Sequence, residues 1–178
     1  MFIAQRQSEI YEKPELIVYI RLMIKKDLPE VLAIEQMCFE FPWPKKDFEI
    51  SRNLRNCFGF VAEYKNDIVG FMIYQLQDNQ IFLRNIAVAP DCSHYRIGDQ
   101  MIARLVSKLS PRRLHSVTAE VRETNLVAQK FFRHNEFKVV DILHNYYEET
   151  DDDTYVFRYV PIPSIITPDK MAKNYLPR

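Results

Sequence analysis

The chain has 178 residues, enough for one domain with its own core. Lys+Arg and Asp+Glu both number 24, so the net charge is zero, which argues against a general attraction to nucleic acid or to anionic lipid. Cys38, Cys57 and Cys92 are odd in number and widely spaced, fit neither a disulfide framework nor a zinc site, and read as reduced thiols. The amino-terminal MFIAQRQSEIYEKPE has no continuous apolar core of a secretory signal. No stretch has the length of a membrane span, and the cysteine usage makes a cytoplasmic location the expectation.

Residues 1–16 are mixed and polar and read as a loose arm. VYIRLMI (18–24) alternates with β-branched residues and reads as a strand. Asp27 is placed to cap the helix that follows, and Pro29 suits its first turn. LPEVLAIEQMCF then puts Leu28, Val31, Leu32, Ile34, Glu35 and Phe39 along a helical stripe. FPWP (41–44) ends it, and a short helix is expected from Lys45 to about Leu54.

CFGFVAEY (57–64), DIVGFMIYQL (67–76) and IFLRNIAV (81–88) read as three strands. KND and QDN join them with good turn chemistry, which predicts an antiparallel meander. A helix follows Gly98 and runs to about Leu109, and HSVTAEVR (115–122) reads as a strand. ETNLVAQKFFRHNEF (123–137) carries Thr124–Asn125 as a cap and a helix ending near Asn135. KVVDILHNYYEE and TYVFRYV close the chain as a hairpin around the acidic turn ETDDD, before a Pro-rich tail at 161–178. Meander and crossover helices together define an α/β (α+β) fold, a mixed sheet of about seven strands with about four helices, over residues 17–160.

APDCSHYRIGDQ (89–100) joins a strand to a helix, an arrangement that offers backbone N–H groups to phosphate. Its single glycine, Gly98, is few for such a loop. A capped, solvated helix start is the competing reading. The histidines His94, His115, His134 and His144 have no metal spacing, and no metal site is expected. Phe131, Phe132 and Phe137 read as core rather than as a base-stacking platform.

Four stretches, taken in order, resemble the GNAT superfamily of acetyl-CoA-dependent N-acetyltransferases, in particular its ribosomal-protein-alanine N-acetyltransferase (RimI-like) type. DLPEVLAIEQMCFEFPW (27–43) resembles the first helix and substrate loop, and NIAVAP (85–90) the central strand. AEVRETNLVAQKFFRHNEF (119–137) and NYYEETDDDTYVF (145–157) resemble the later segments, so the likeness covers about residues 18–160.

The resemblance implies a GNAT fold with acetyl-CoA as co-substrate. Ile86, Ala87 and Val88 would line the acetyl-CoA site, with a main-chain N–H of Val88 or its neighbour polarising the thioester carbonyl. Ser93, His94, Tyr95, Arg96, Ile97, Gly98 and Asp99 would form the pyrophosphate loop. Ser93 stands where the family has Gln or Arg, and Arg96 where it has glycine, a choice that is strained if the backbone there needs positive φ. Asn125 would hydrogen-bond the cofactor or cap its helix.

Glu120 would be the general base, against the alternative of a solvated strand Glu paired with Arg122 or with a neighbouring strand. Phe132 stands where the family's Tyr protonates the departing thiolate. Tyr147 is the candidate catalytic hydroxyl in its place, with Tyr146 and Tyr155 as alternatives, each also able to pack or to line the groove. Phe41, Trp43 and Tyr146 would line a peptide groove. Glu136 replaces a family glycine, and Asn135 is expected to take the left-handed helix cap one residue earlier.

The implied acceptor is a protein or peptide N-terminal α-amine, of a ribosomal protein by resemblance, with a lysine, a polyamine or a small amine still open. A coenzyme A-binding module without turnover, acting as a sensor or assembly partner, is the second reading.

Overall fold

The structure, a computed structural model, describes residues 15–110, 113–147 and 152–161, with backbone only at 145–147. The elements follow the expected order: β1 (Tyr19–Leu22), α1 (Leu28–Cys38), α2 (Lys45–Asn53), β2 (Cys57–Tyr64), β3 (Asp67–Gln77), β4 (Gln80–Val88), α3 (Ile97–Val106), β5 (Ser116–Arg122), α4 (Leu126–His134), β6 (Lys138–Tyr147) and β7 (Asp152–Tyr159).

The seven strands form one mixed sheet in the order β1-β2-β3-β4-β5-β7-β6. β4 and β5 run parallel, and the other neighbours are antiparallel. The two tight hairpins turn on Lys65–Asn66 and Asp78–Asn79, all four with positive φ. That left-handed pair matches the right-handed twist of the strands it joins.

Each face of the sheet has its own apolar layer. Leu28, Val31 and Ile34 of α1 and Phe48 of α2 pack on Val61, Phe71, Ile73 and Ala87. On the other face Ile97, Met101, Ile102 and Leu105 of α3 and Phe132 of α4 pack on Met72, Tyr74, Ile81, Leu83 and Val117. The three cysteines are free thiols. Among the described residues, no helix is long and apolar enough to cross a membrane.

Three local expectations are corrected. Asp27 does not cap α1 with its side chain. Its backbone is helical, because α1 emerges directly from a 3-10 turn at Lys25–Asp27, and a cap needs an extended residue. The carboxylate instead accepts from Arg21 at 2.7 and 3.0 Å and from the Ile24 N–H at 2.8 Å. At the end of α4, Glu136 rather than Asn135 takes the left-handed conformation, with φ of 65°. Asn135 stays at φ −87°, because its side chain is engaged with Asp99 and with the Phe131 carbonyl. α3 also begins one residue before Gly98, at Ile97.

Candidate active site

β4 carries the irregularity that opens the site. Tyr74 of β3 pairs with Leu83 and Ile73 pairs with Asn85, so Arg84 is an extra residue, a bulge. The bulge exchanges the faces of the strand. Leu83 packs in the α3–α4 layer, whereas Ala87, which would share its face in a regular strand, packs in the α1–α2 layer. Pairing with β5 ends at the same place, at Leu83–Ala119. Beyond it the two strands part, and residues 84–88 have no ladder partner on the β5 side.

A cleft of about 530 Å³ fills the gap. Arg84, Asn85 and Ile86 line it from β4, and Glu120, Val121 and Arg122 from β5. Glu35 and Cys38 of α1, with Phe41 and Trp43 of the following loop, form one wall, and Asn125, Ala128 and Phe132 another.

Glu120 is half-buried in this cleft, and among the described residues nothing is bonded to its carboxylate. The partner that spacing offered, Arg122, binds Asp152 at 3.2 Å instead and lies 4.8 Å from the Phe41 ring centroid. Trp43 packs edge-on against Phe48, and its backbone N–H donates to Glu35 Oε1 at 2.7 Å.

Glu35 was legible in the sequence only as a charge on an apolar helical stripe. It is 1% exposed, and its other oxygen accepts from Asn85 Nδ2 at 3.0 Å. Burial, against these two hydrogen bonds, pushes its carboxyl above the usual range. Asn85 Oδ1 has no partner among the described residues.

Of the residues expected at the end of β4, Ile86 lines the cleft, Ala87 packs beneath it against α1–α2, and Val88 packs toward α3. The Val88 carbonyl accepts from Cys38 Sγ at 3.3 Å. The following loop is left-handed at His94 (φ 68°) and Arg96 (φ 61°), so Arg96 is strained. Each such residue costs about 1–2 kcal/mol relative to a relaxed backbone. Ser93 Oγ donates locally to the Pro90 carbonyl, and Tyr95 and Ile97 turn into the core. The N–H groups of the first turn of α3 have no partner within the helix, as at any helix start. Asp99, in that turn, directs its carboxylate to Asn135 at 2.9 Å and to Arg96 at 3.4 Å. Gly98 has ordinary φ; a Cβ there would come within 2.9 Å of the Phe131 ring, so it serves close helix packing.

Asn125 caps α4, its Oδ1 accepting the Ala128 N–H at 3.0 Å. Phe132 is 3% exposed, ringed by Phe131, Phe137 and Phe157, and borders the cleft. Tyr155 packs against the α3–α4 layer. The side chains of Tyr146 and Tyr147 lie outside the described residues. Among the described residues, no group of His, Cys, Asp and Glu is placed to hold a metal.

A mixed seven-stranded sheet, parted between its parallel strands and followed by a strand–loop–helix turn, defines an acyl-transfer fold of the GNAT class. Residues 28–137 match the acetyltransferase (GNAT) family, and the chain belongs to it. It is an N-acetyltransferase, with acetyl-CoA as co-substrate. It is 31% identical over 125 residues to ribosomal protein bS18-alanine N-acetyltransferase of Escherichia coli, covering 70% of this chain and 84% of that protein. The crystal structure of the ribosomal-protein-S18-alanine N-acetyltransferase from E. coli superposes with a TM-score of 0.72 at 26% identity, over 81% of this chain and 94% of the other. Arabidopsis thaliana NAA60 in complex with acetyl-CoA shares the fold at 17% identity, with a TM-score of 0.71 over 82% and 100% of the two chains.

Proposed function

We propose that the protein acetylates the N-terminal α-amine of a protein, with Glu120 as general base. The observation that carries this reading is the unbonded carboxylate of Glu120 in the cleft where β4 and β5 part. An α-amino group has a pKa of about 7.7–8.0, so a large fraction is neutral near pH 7.5, whereas a lysine near 10.4 is almost wholly protonated. A single carboxylate, acting directly or through one water, suffices to take the remaining proton of an α-amine.

In the reaction, the amine nitrogen bonds to the acetyl carbon and the carbon–sulfur bond breaks. The amine proton passes to Glu120, and the electron pair leaves on sulfur. Past Leu83 the β4 backbone has no ladder partner on the β5 side, and donors for the acyl group come from there, with the N–H of Val88 or its neighbour at the carbonyl. The loop at residues 93–99 holds the pyrophosphate of acetyl-CoA at the start of α3, through the first-turn N–H groups that the helix leaves without a partner. Asn125 Nδ2, which its capping bond leaves uncommitted, is the group it offers to the same ligand. The acceptor peptide lies along Phe41 and Trp43, and Tyr146 and Tyr147 are the residues that family resemblance adds to its groove. Phe132 donates no proton, so the thiolate leaves unassisted or takes one from Tyr147. The E. coli relative's name, an alanine N-acetyltransferase of ribosomal protein bS18, supports a ribosomal protein terminus as the acceptor.

The test is acetyl transfer to short peptides with free amino termini, beside the same peptides blocked at the α-amine but carrying lysine, with products read by mass. Glu120→Gln is expected to lower kcat by about 10²-fold or more, with acetyl-CoA binding unchanged. Equal transfer to the blocked peptides, or an unaffected Glu120→Gln variant, overturns the reading.

A further inference from the structure

The segment before β1 is bound to the loop that follows β4. Leu16 donates its N–H to the Tyr95 carbonyl at 3.1 Å. The Leu16 carbonyl accepts from Gln100 Nε2 at 2.8 Å, and the Val18 N–H donates to Gln100 Oε1 at 3.2 Å. The side-chain amide of Gln100 thus pairs with the backbone on both sides of Ile17, as a neighbouring strand would. Leu16, Val18 and Tyr95 pack into the same apolar layer.

Tyr95 sits between the two left-handed residues of the loop, His94 and Arg96. Neither is glycine, so neither holds that conformation by preference. Strained residues persist where their surroundings over-determine them. Here the constraint comes from both sides of Gln100. Its backbone N–H donates to the Arg96 carbonyl at 3.2 Å as the first turn of α3, and its side chain, which also reaches the Arg96 carbonyl at 3.4 Å, holds the segment that holds Tyr95.

From this geometry we infer that Gln100 is a positioning residue for acetyl-CoA. By docking residues 16–18 it keeps the loop in the conformation that points its amides at the pyrophosphate, doing what glycine would otherwise permit. The inference rests on the reading that this loop holds the pyrophosphate. Gln100 itself touches no ligand. Without the docked segment, the loop relaxes toward unstrained φ values, and binding must first restore the order that was lost.

The test compares acetyl-CoA with S-acetylpantetheine, which lacks the pyrophosphate, by calorimetric Kd in the full chain. Gln100→Met keeps the side chain's length and removes its hydrogen bonds. It is expected to weaken acetyl-CoA about tenfold, the size of one or two lost hydrogen bonds, and to leave S-acetylpantetheine unchanged. Gln100→Glu keeps an acceptor for Val18 but loses the donor to Leu16, and is expected to show at least the same loss. Equal weakening of both ligands, or of neither, overturns the proposal. Wild-type protein that binds the two ligands equally would instead show that the loop does not hold the pyrophosphate.

A second measurement needs no variant. Coupling is reciprocal, so acetyl-CoA must slow hydrogen exchange at the Leu16 and Val18 amides of the wild-type chain. Unchanged exchange at both, with ligand bound, also overturns the proposal.

Discussion

Asn85 donates from Nδ2 to Glu35 Oε2 at 3.0 Å, which ties the bulged strand to α1 beneath the cleft. The other oxygen of Glu35 holds the Trp43 N–H, so one buried carboxylate joins α1, the loop after it and β4. Its cost is the charge. Burial raises the folded-state pKa of Glu35 above its unfolded value, so its contribution is most favourable below the unfolded pKa of about 4.3 and is lost as pH rises through the folded value. In Glu35→Gln, a carbonyl oxygen remains for Trp43. Rotation of the Asn85 amide brings its unpartnered Oδ1 to the new N–H. The variant is expected to match or exceed wild-type stability at pH 7 and to lose that advantage by pH 4. Urea unfolding at the two pH values measures the gap; a gap that widens toward acid contradicts the assignment. Glu35→Ala leaves both donors unsatisfied and is expected to cost about 3 kcal/mol at either pH.

How much of this was legible in the sequence depended on whether the cue was local. The turn pairs Lys65–Asn66 and Asp78–Asn79 declare themselves, because Asn and Asp tolerate the left-handed backbone that a two-residue hairpin needs. The helical stripe of α1 is equally clear, since its apolar spacing matches the layer it packs on. The loop after β4 stood out as a strand–loop–helix step, whereas Glu120 was reached through family resemblance, and spacing alone favoured an ion pair to Arg122 that the fold does not make. The bulge at Arg84 was not legible. IFLRNIAV reads as an unbroken strand, and the extra residue appears only when β3 supplies the register. The roles of Glu35 and Asn85 were hidden for the same reason, since the bulge decides which side chain meets α1. The left-handed backbone at Arg96 was hinted at only by the family's glycine at that position, and that at His94 was hidden, because the bonds around the loop come from residues 16–18.

Asp27, the other buried carboxylate, is paired with the partly buried Arg21. Asp27 is 2% exposed and accepts two N–H groups of Arg21, which itself also holds Glu63 at 2.7 Å. The bond from Arg21 holds the Asp27 carboxyl below its ordinary value, against the effect of burial. A depressed folded pKa gives stability that is present above the unfolded value of about 3.9 and is lost as pH falls through the folded one. Asp27→Asn is therefore expected to destabilise the chain by about 3 kcal/mol at pH 7, with the difference shrinking toward pH 2. Denaturant midpoints at both pH values decide it; a difference independent of pH would place the cost in packing instead.

Gly70 and Gly59 make a matched pair of stability tests. A Cβ on Gly70 would lie 2.9 Å from the Ala87 carbonyl oxygen, a backbone atom fixed in the β3–β4 ladder. Gly70→Ala is expected to cost about 1–3 kcal/mol, a fall of several degrees in Tm. On Gly59 the nearest atoms, at 3.0–3.3 Å, belong to the Met23 side chain, which can shift. Gly59→Ala also restricts the unfolded chain, so its net effect is expected within about 1 kcal/mol of zero. Thermal unfolding of both variants separates the cases, and equal losses would contradict the distinction between backbone and side-chain neighbours.

Phe132 tests whether the chemistry needs a proton donor at that position. Its ring packs against Phe131 at 5.3 Å, Phe137 at 5.1 Å and Phe157 at 5.7 Å, with the cleft beyond. Phe132→Tyr adds a hydroxyl where the ring borders the cleft. A thiol with a pKa of about 8.5 is a good leaving group, and a general acid contributes about 10²–10⁴ where the leaving group is poor. For the thiolate the gain in kcat is expected to stay below about tenfold and to be largest under pH 8, where the departing sulfur ends protonated. Rates at pH 6.5 and pH 9 measure it. A gain near a hundredfold at pH 6.5 would mean that protonation of the thiolate limits turnover. Phenylalanine at this position would then be what holds the enzyme slow. A loss of rate with a lower Tm would mean instead that the hydroxyl stays among the rings, where an unpaired polar group costs about 1–3 kcal/mol.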